Sequence, residues 1–144
     1  MPAKDIYHQA VKNALIKAGW TITHDPYTIS FGQTNVFVDL GAERVIAAEK
    51  ENEKIAIEIK SFRNASDIHD LENAIGQYVF YRSLIKRLEP TRQLFLAVPK
   101  SVFISTLEEP IVRPVLEDLN IALMAFEPEE EVIVKWTSST NIVK

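Results

Sequence analysis

A glutamate and a lysine lie two residues apart inside an otherwise apolar segment of the chain, Lys54 to Ser61. Isoleucines occupy every second position of this segment, which is typical of a β-strand, so Ala56, Glu58 and Lys60 are expected to share the opposite face. Removing two charges from water costs several kcal/mol per ion unless they are paired, hydrated or bound to a metal. The two side chains therefore form either a structural ion pair or part of a chemical site.

Two more carboxylates precede this strand. Asp39 closes a predicted strand from Val36 to Leu40, and Glu43 lies just before an extended segment that begins at Arg44. Carboxylates that converge from neighbouring strands form an oxygen site suited to Mg²⁺, which keeps several waters and needs only one or two of them. A lysine beside them could orient a metal-held water or stabilise charge on a phosphate. These groups are sufficient for phosphodiester hydrolysis.

Gln77 and Tyr81 are four residues apart in the longest predicted helix, so they project from one side of it. We expect this helix to run from Asp67 to Leu88, with Ser66 as its N-cap and Pro90 beyond its end. The positions predicted to face the core are Ile68, Leu71, Ile75, Tyr78, Val79 and Ile85.

A shorter amphipathic helix is predicted from Lys4 to Ala18, ended by Gly19. Asp5, His8 and Lys12 are spaced i, i+3, i+7 and so share one stripe of its surface. Because charged stripes usually face solvent, we expect a solvated face here and not a site.

The remaining elements complete an α/β (α+β) fold. An edge strand is predicted at Thr28 to Phe31. Between the two helices the pattern predicts a meander of three strands, interrupted at 41–43 and joined by a hairpin loop at 50–53. The elements expected after the long helix are a buried strand, two short helices and two closing strands, at Leu94–Val98, Pro99–Leu107, Pro110–Leu119, Ile121–Phe126 and Val132–Trp136. We therefore expect one domain, residues 1–144, with a central mixed sheet flanked by helices and a polar tail from about residue 137.

Composition limits the classes of function. The net charge of −4 and pI of about 5.4 argue against a dedicated high-affinity nucleic-acid binder, because such domains are usually basic. The objection is weaker for a metal-dependent nuclease, because the active site of such an enzyme is acidic until the cation binds. The chain has no cysteine, no secretory signal pattern and no apolar run of about 20 residues, so we expect a cytoplasmic protein that is not bound to a membrane.

The motifs described above resemble those of the PD-(D/E)XK nuclease superfamily. More narrowly, four segments of the chain resemble the XisH family, the fdxN element excision controlling factors of cyanobacteria. These segments are Gly19–Pro26, Asp39–Arg44, Ile57–Phe62 and Gly76–Tyr78. The resemblance implies a restriction endonuclease-like αβββαβ core. It also implies a link to programmed excision of a DNA element, alongside a site-specific recombinase and an XisI-like partner protein.

The resemblance implies roles for particular residues. Glu58 and Lys60 occupy the catalytic Glu-x-Lys positions, and Gln77 and Tyr81 would face the site as a Gln-x-x-x-Tyr motif. The second metal ligand stays open between Asp39 and Glu43. Asp39 lies 19 positions before Glu58, which is long for a short hairpin, whereas Glu43 lies 15 positions before it. Asp39 is not preceded by the proline that the superfamily name implies. Asp5 or His8 of the first helix is a further candidate to approach the site.

Three functions remain open at this stage. The first is a Mg²⁺-dependent DNA endonuclease, with Mn²⁺ as an alternative ion, in which Asp39 or Glu43 binds the cation together with Glu58 while Lys60 positions the attacking water. The second is a non-catalytic accessory protein that binds DNA or a partner and regulates a recombinase. The third is an interaction module whose Glu58 and Lys60 form a structural ion pair. A homodimer would suit a small nuclease that cuts both DNA strands.

Overall fold

A mixed sheet of six strands forms the centre of the protein, as the computed structural model shows. The structure describes residues 5–46, 51–62, 67–107 and 109–137. The strands are β1 (Thr21–His24), β2 (Tyr27–Phe31), β3 (Thr34–Val38), β4 (Leu40–Ile46), β5 (Glu51–Ile59), β6 (Arg92–Pro99), β7 (Leu123–Glu127) and β8 (Val132–Thr137). The helices are α1 (His8–Lys17), α2 (Asp67–Leu88), α3 (Lys100–Val102) and α4 (Arg113–Asp118).

The central sheet has the strand order β1-β4-β5-β6-β7-β8, and β2 and β3 form a separate hairpin. The β5–β6 and β6–β7 pairs are parallel, whereas the other neighbours are antiparallel. This arrangement confirms the predicted central mixed sheet with flanking helices.

Each face of the sheet packs on one of the two longer helices. The isoleucines at 55, 57 and 59 of β5 are buried in the same cluster as Val11 and Leu15 of α1. On the other face, Ala56 of β5 is buried in the same cluster as Leu71 and Tyr78 of α2. The period-2 pattern of β5 therefore decides that Glu58 lies on the α2 face.

The long helix α2 has the predicted bounds, Asp67 to Leu88. Of the apolar positions expected in the core, Ile68 is instead exposed. Helix α1 begins at His8, and Ala18 at its end is exposed. The predicted helix at 99–107 is only a short α-helix followed by a π-helical segment, Phe103–Leu107. Its β-branched residues and serine favour a regular helix only weakly.

The strands before Glu58 differ from the prediction in a way that matters for the site. No interruption occurs at 41–43, because β4 runs without a break and pairs with β5 over seven residue pairs, from Leu40↔Ile57 to Ile46↔Glu51. The predicted loop at 50–53 is wrong at its end, since Glu51 already belongs to β5. The predicted strand 36–40 is split at Asp39, because β3 pairs with β2 while β4 pairs with β5.

The described residues contain no helix that is both long and apolar enough to cross a lipid bilayer. The predicted polar tail falls mainly on 138–144, outside the described residues, as do Lys4 of the first predicted helix and the N-cap Ser66.

Candidate active site

Asp39 and Glu58 lie at the same end of the β4–β5 ladder. Leu40 pairs with Ile57, so the residue before Leu40 and the residue after Ile57 are neighbours across the two strands. The backbone N–H of Ile59 donates a hydrogen bond to Asp39 Oδ2 at 2.7 Å, which holds the aspartate against the end of β5. The structure thus brings together two of the carboxylates that the sequence singled out.

Glu58 is a buried carboxyl group in an unfavourable electrostatic position. Its residue surface is only 6% exposed, and its Oε1 atom has no hydrogen-bond partner in the described part of the chain. Burial, reinforced by the charge of Asp39, raises the pKa of Glu58 to about 8. Burial also raises the pKa of Asp39, although the hydrogen bond from Ile59 opposes this. Without further positive charge, Glu58 does not ionise readily at neutral pH, and a charged Asp39 makes its ionisation less favourable still.

Lys60 is the cation nearest to this pair along β5. Its backbone N–H donates to the carbonyl of Ala97 at 2.9 Å, so the β5–β6 ladder extends to Lys60 and fixes its backbone. Its Nζ atom lies 3.7 Å from Glu58 Oε2. The Lys60 side chain is partly exposed, at 29%, and is therefore accessible to a ligand from the solvent. One ammonium beside two carboxylates leaves the group with one negative charge in excess when both acids are ionised.

Tyr81 and Gln77 border a groove next to the carboxylates. Tyr81 is half-buried, and burial together with the charges of Glu58 and Asp39 raises the pKa of its hydroxyl group. Gln77 is exposed one helical turn earlier. The groove has a volume of about 560 Å³, and Phe37 of β3 and Phe80 of α2 also line it. Helix α2 therefore presents the Gln-x-x-x-Tyr residues and an exposed aromatic ring beside the pair.

Glu43 lies elsewhere on the same face. It pairs with Lys54, four residue pairs along the ladder from the position of Asp39, and its Oε2 is 3.8 Å from Nη2 of the buried Arg92. At about 3.4 Å per residue, this separation is too long for Glu43 and Glu58 to bind one ion. Of the two acids that the sequence left open, Asp39 is the one that neighbours Glu58.

The donor set of the site fits a divalent cation with oxygen ligands. The described residues contain no cluster of three or more histidine, cysteine or carboxylate side chains that could hold a metal. Mg²⁺, however, is commonly bound by only one or two carboxylates and retains several waters. A buried Glu58 oxygen without a partner and two carboxyl groups with raised pKa values are what such an ion would neutralise. The residues present therefore fit the ion that the resemblance implies.

A second polar cluster lies near the pair and was not expected to be a site. His8 is 5% exposed, and its Nε2 is 2.7 Å from Asp25 Oδ1, while Lys12 Nζ donates to Asp25 Oδ2 at 2.8 Å. The prediction that the stripe of Asp5, His8 and Lys12 is a solvated face is thus wrong for His8. The i, i+4 spacing of His8 and Lys12 was a usable signal, but the sequence did not indicate that Asp25 binds both.

Together, the sheet, the buried Glu58 with its neighbour Asp39, and Lys60 define an α+β protein with a candidate metal-binding site at one end of its central strands. A family model described as XisH protein matches residues 1–134, and the chain belongs to the XisH family.

Two solved structures resemble the chain over most of its length. One is an XisH family protein from Nostoc punctiforme PCC 73102, with 38% sequence identity and a TM-score of 0.82. The other is an fdxN element excision controlling factor protein from Anabaena variabilis, with 36% identity and a TM-score of 0.83. Each comparison covers 92% of this chain and 98% of the other. No curated protein matches the sequence significantly.

Proposed function

We propose that this protein controls excision of a chromosomal DNA element and that it does so as a Mg²⁺-dependent DNA endonuclease. The first part extends to this chain the description of its relative from Anabaena variabilis as an fdxN element excision controlling factor. The second part is supported by one observation above the others. Glu58 is buried, has a carboxylate oxygen without a partner in the described part of the chain, and neighbours a second carboxylate.

The alternative of a structural ion pair is weaker for a physical reason. A structural pair balances its charges, whereas here Glu58 and Asp39 share the nearby Lys60, whose Nζ is 3.7 Å from Glu58. A distance of 3.7 Å is also longer than the 2.7–2.9 Å of a charge-assisted hydrogen bond. A fold that keeps an unbalanced buried charge without a ligand loses stability, and such sites are often functional.

The residues of the site then take separate roles. Asp39 and Glu58 hold the cation through carboxylate oxygens. A bound Mg²⁺ supplies Lewis-acid stabilisation of phosphate charge and lowers the pKa of a coordinated water. Lys60 Nζ donates a hydrogen bond to a phosphate oxygen or orients the attacking water, and its partial exposure suits a ligand that arrives from solvent.

The groove beside the pair is where the nucleic acid lies in this proposal. Tyr81 lines the groove and also lies close enough to Glu58 and Asp39 for their charges to raise the pKa of its hydroxyl group. Phe80 is 57% exposed, and its ring centroid lies 6.3 Å from that of Tyr81. Exposed aromatic rings give stacking surfaces for bases, and the amide of Gln77 can bond a base edge or a phosphate.

A cleavage assay tests the proposal. Purified wild-type protein and the Glu58→Ala and Lys60→Ala variants are incubated with supercoiled, branched and single-stranded DNA, with Mg²⁺, with Mn²⁺ and with chelator. We expect metal-dependent cutting by the wild type and a loss on the order of 10²–10³-fold or more in each variant. Glu43→Gln is the matched control, because it removes an acid on the same face and should keep cutting. Cutting that survives both alanine substitutions would contradict the mechanism.

A non-catalytic accessory role is the second candidate. The excess of acidic residues, 20 against 16 basic ones, supports it, since a protein that binds DNA tightly by itself is usually basic. The edge strand β8 also exposes Val134, at 47%, and Val132, at 36%, which a partner such as an XisI-like protein or a recombinase could cover. No cutting under any condition, together with binding of DNA or of such a partner, would favour this role.

A further inference from the structure

Three acidic residues lie at the ends of neighbouring strands, all at the same end of the central sheet. His24 of β1 pairs with Gly41 of β4, and Asp25 directly follows this pair. Asp39 precedes β4, and Glu58 is its neighbour on β5. The order across the sheet end is therefore Asp25, Asp39, Glu58. Helix α1 reaches this end as well, because His8 in its first turn bonds Asp25.

The contacts of Asp25 decide which nitrogen of His8 carries the proton. Burial raises the pKa of Asp25, but hydrogen bonds from Lys12 and His8 outweigh this and hold it below its usual value. An ionised Asp25 can only accept, so His8 Nε2 must be the donor in their 2.7 Å contact. In a neutral imidazole the other nitrogen, Nδ1, is then an acceptor.

No hydrogen-bond donor in the described part of the chain reaches His8 Nδ1. Two buried side-chain polar atoms in the described ranges have no hydrogen-bond partner, and these are His8 Nδ1 and Glu58 Oε1. A buried polar atom without a partner is unfavourable, because it has lost its hydrogen bond to water and gained none in the protein. Both residues lie at the sheet end that Asp39 occupies, His8 through its bond to Asp25 beside the start of β4 and Glu58 as the neighbour of Asp39 across the strands, and both interact electrostatically with Asp39. The two unsatisfied acceptors thus lie near the same carboxylate.

We infer that His8 is a positioning residue of the candidate site, whose Nδ1 accepts a hydrogen bond from a water of the hydrated cation held by Asp39 and Glu58. The inference rests on the proposed function. A cation with oxygen ligands supplies what both acceptors lack, because Glu58 Oε1 gains the ion itself while His8 Nδ1 gains the O–H of one of its waters. Asp25 keeps His8 in the required tautomer, and Lys12 keeps Asp25 ionised.

Cation binding measured by titration calorimetry tests this role without relying on cleavage. His8→Gln keeps a side-chain N–H donor for Asp25 but removes the Nδ1 acceptor. We expect it to weaken Mn²⁺ and Mg²⁺ binding about 10–100-fold, as the loss of such outer contacts typically does. The control Lys17→Met removes a basic side chain of the same helix that bonds the carbonyl of Glu130 and not Asp25, so it should leave the affinity within about a factor of two. Equal binding by wild type and His8→Gln would overturn the inference.

Nitrogen NMR of the ¹⁵N-labelled wild-type protein gives a second test that does not depend on a variant folding. The Nδ1 resonance of His8 should have the shift of an unprotonated ring nitrogen and should move when Mg²⁺ is added. His69, exposed on α2, is the internal control and should not move. If Mg²⁺ binds and DNA is cut while His8 Nδ1 stays unchanged, this inference fails alone. If the wild type binds no divalent cation, the proposed nuclease function fails with it.

Discussion

Two charged clusters on the same face of the β4–β5 ladder hold their charges differently. The Arg92 cluster lies at the middle of the ladder, where Glu43 pairs with Lys54. Arg92, with a side chain 2% exposed, donates to the carbonyl of Ile55 at 2.8 Å and to Glu89 at 3.2 Å, and lies 3.8 Å from Glu43. Lys54 adds a second cation, 4.0 Å from Glu89. The Glu58 cluster lies at the end of the ladder, where Asp39 and Glu58 share Lys60.

The comparison separates charged groups that are satisfied by other protein groups from charged groups that need a bound ligand. Burial raises the pKa of Glu89, but hydrogen bonds from Tyr27 and Arg92 outweigh this and hold it below its usual value. At the Glu58 end burial prevails, and the pKa is raised to about 8. Two acids with two bases form a satisfied structural cluster, whereas two acids with one base form a site that a cation would complete.

The largest effect on stability is expected in the Arg92 cluster, whose charges are balanced. Arg92→Met leaves Glu43, Glu89 and the carbonyl of Ile55 without their buried partner, so the free energy of unfolding should fall by about 3–5 kcal/mol. Urea unfolding measures the change. Arg113→Met is the control, because its ion pair with Glu117 is exposed on both sides and is worth at most about 1 kcal/mol. A loss no larger than that of the control would show that the cluster does not support the fold.

The stability that the Glu58 cluster contributes should respond to pH in the opposite direction to that of an ordinary salt bridge. The pKa of Glu58 is about 8 when folded and near 4.5 when unfolded, so the folded state binds more protons between these values. Stability from this group is therefore full below about pH 4.5 and is lost as the pH rises to 8, by no more than about 5 kcal/mol.

Glu58→Gln tests this expectation because the amide does not titrate. In chelator, the variant should lose less stability than the wild type between pH 5 and 8, and should be the more stable protein at pH 8. Chemical unfolding at several pH values gives both curves. Parallel curves for the two proteins would mean that the carboxyl group of Glu58 is not held in its neutral form by the fold.

Added Mg²⁺ should stabilise the wild type at pH 8 by less than the stability that is lost when Glu58 ionises. For a dissociation constant of about 1 mM, 10 mM Mg²⁺ contributes about 1.4 kcal/mol, or a rise in Tm of roughly 3–6 °C. Thermal melts at matched ionic strength measure it. Glu58→Gln should show little of this rise. An equal rise in both proteins would indicate that Mg²⁺ binds elsewhere.

The smallest effect is expected for Glu43→Gln. Arg92 keeps Glu89 and the carbonyl of Ile55, so the cost should be about 1 kcal/mol and the Mg²⁺ response should stay that of the wild type. The same melts compare the two proteins. Loss of the Mg²⁺ response in this variant would place the Mg²⁺ site at Glu43 and not at Glu58.

The sequence predicts the face of Glu58 and Lys60 well because strand period is a local property. The isoleucines of β5 are buried as expected, and Asp67–Leu88 is a helix with the predicted bounds. The choice between Asp39 and Glu43, by contrast, is not determined by the local sequence. It depends on the length of the β4–β5 hairpin, and a separation of 19 residues was judged long for a short hairpin, whereas the ladder in fact pairs seven residues of each strand.

The His8 cluster shows a second limit. His8 and Lys12 lie on one helix stripe, a pattern that solvated and buried stripes share. The buried His8 bonds Asp25, which follows β1 and meets α1 only when the sheet end and the helix come together. Arg92 is similar, because a lone arginine at the start of an apolar strand gives no sign that two glutamates and a carbonyl surround it.

The central claim is that Asp39 and Glu58 together bind one divalent cation. The most direct test is a crystal of the protein soaked in Mn²⁺, with an anomalous difference map. We predict a peak between the two carboxylates, at a ligand distance of about 2.0–2.2 Å from an oxygen of each. A map with no peak there, or with a peak at Glu43 instead, would contradict it.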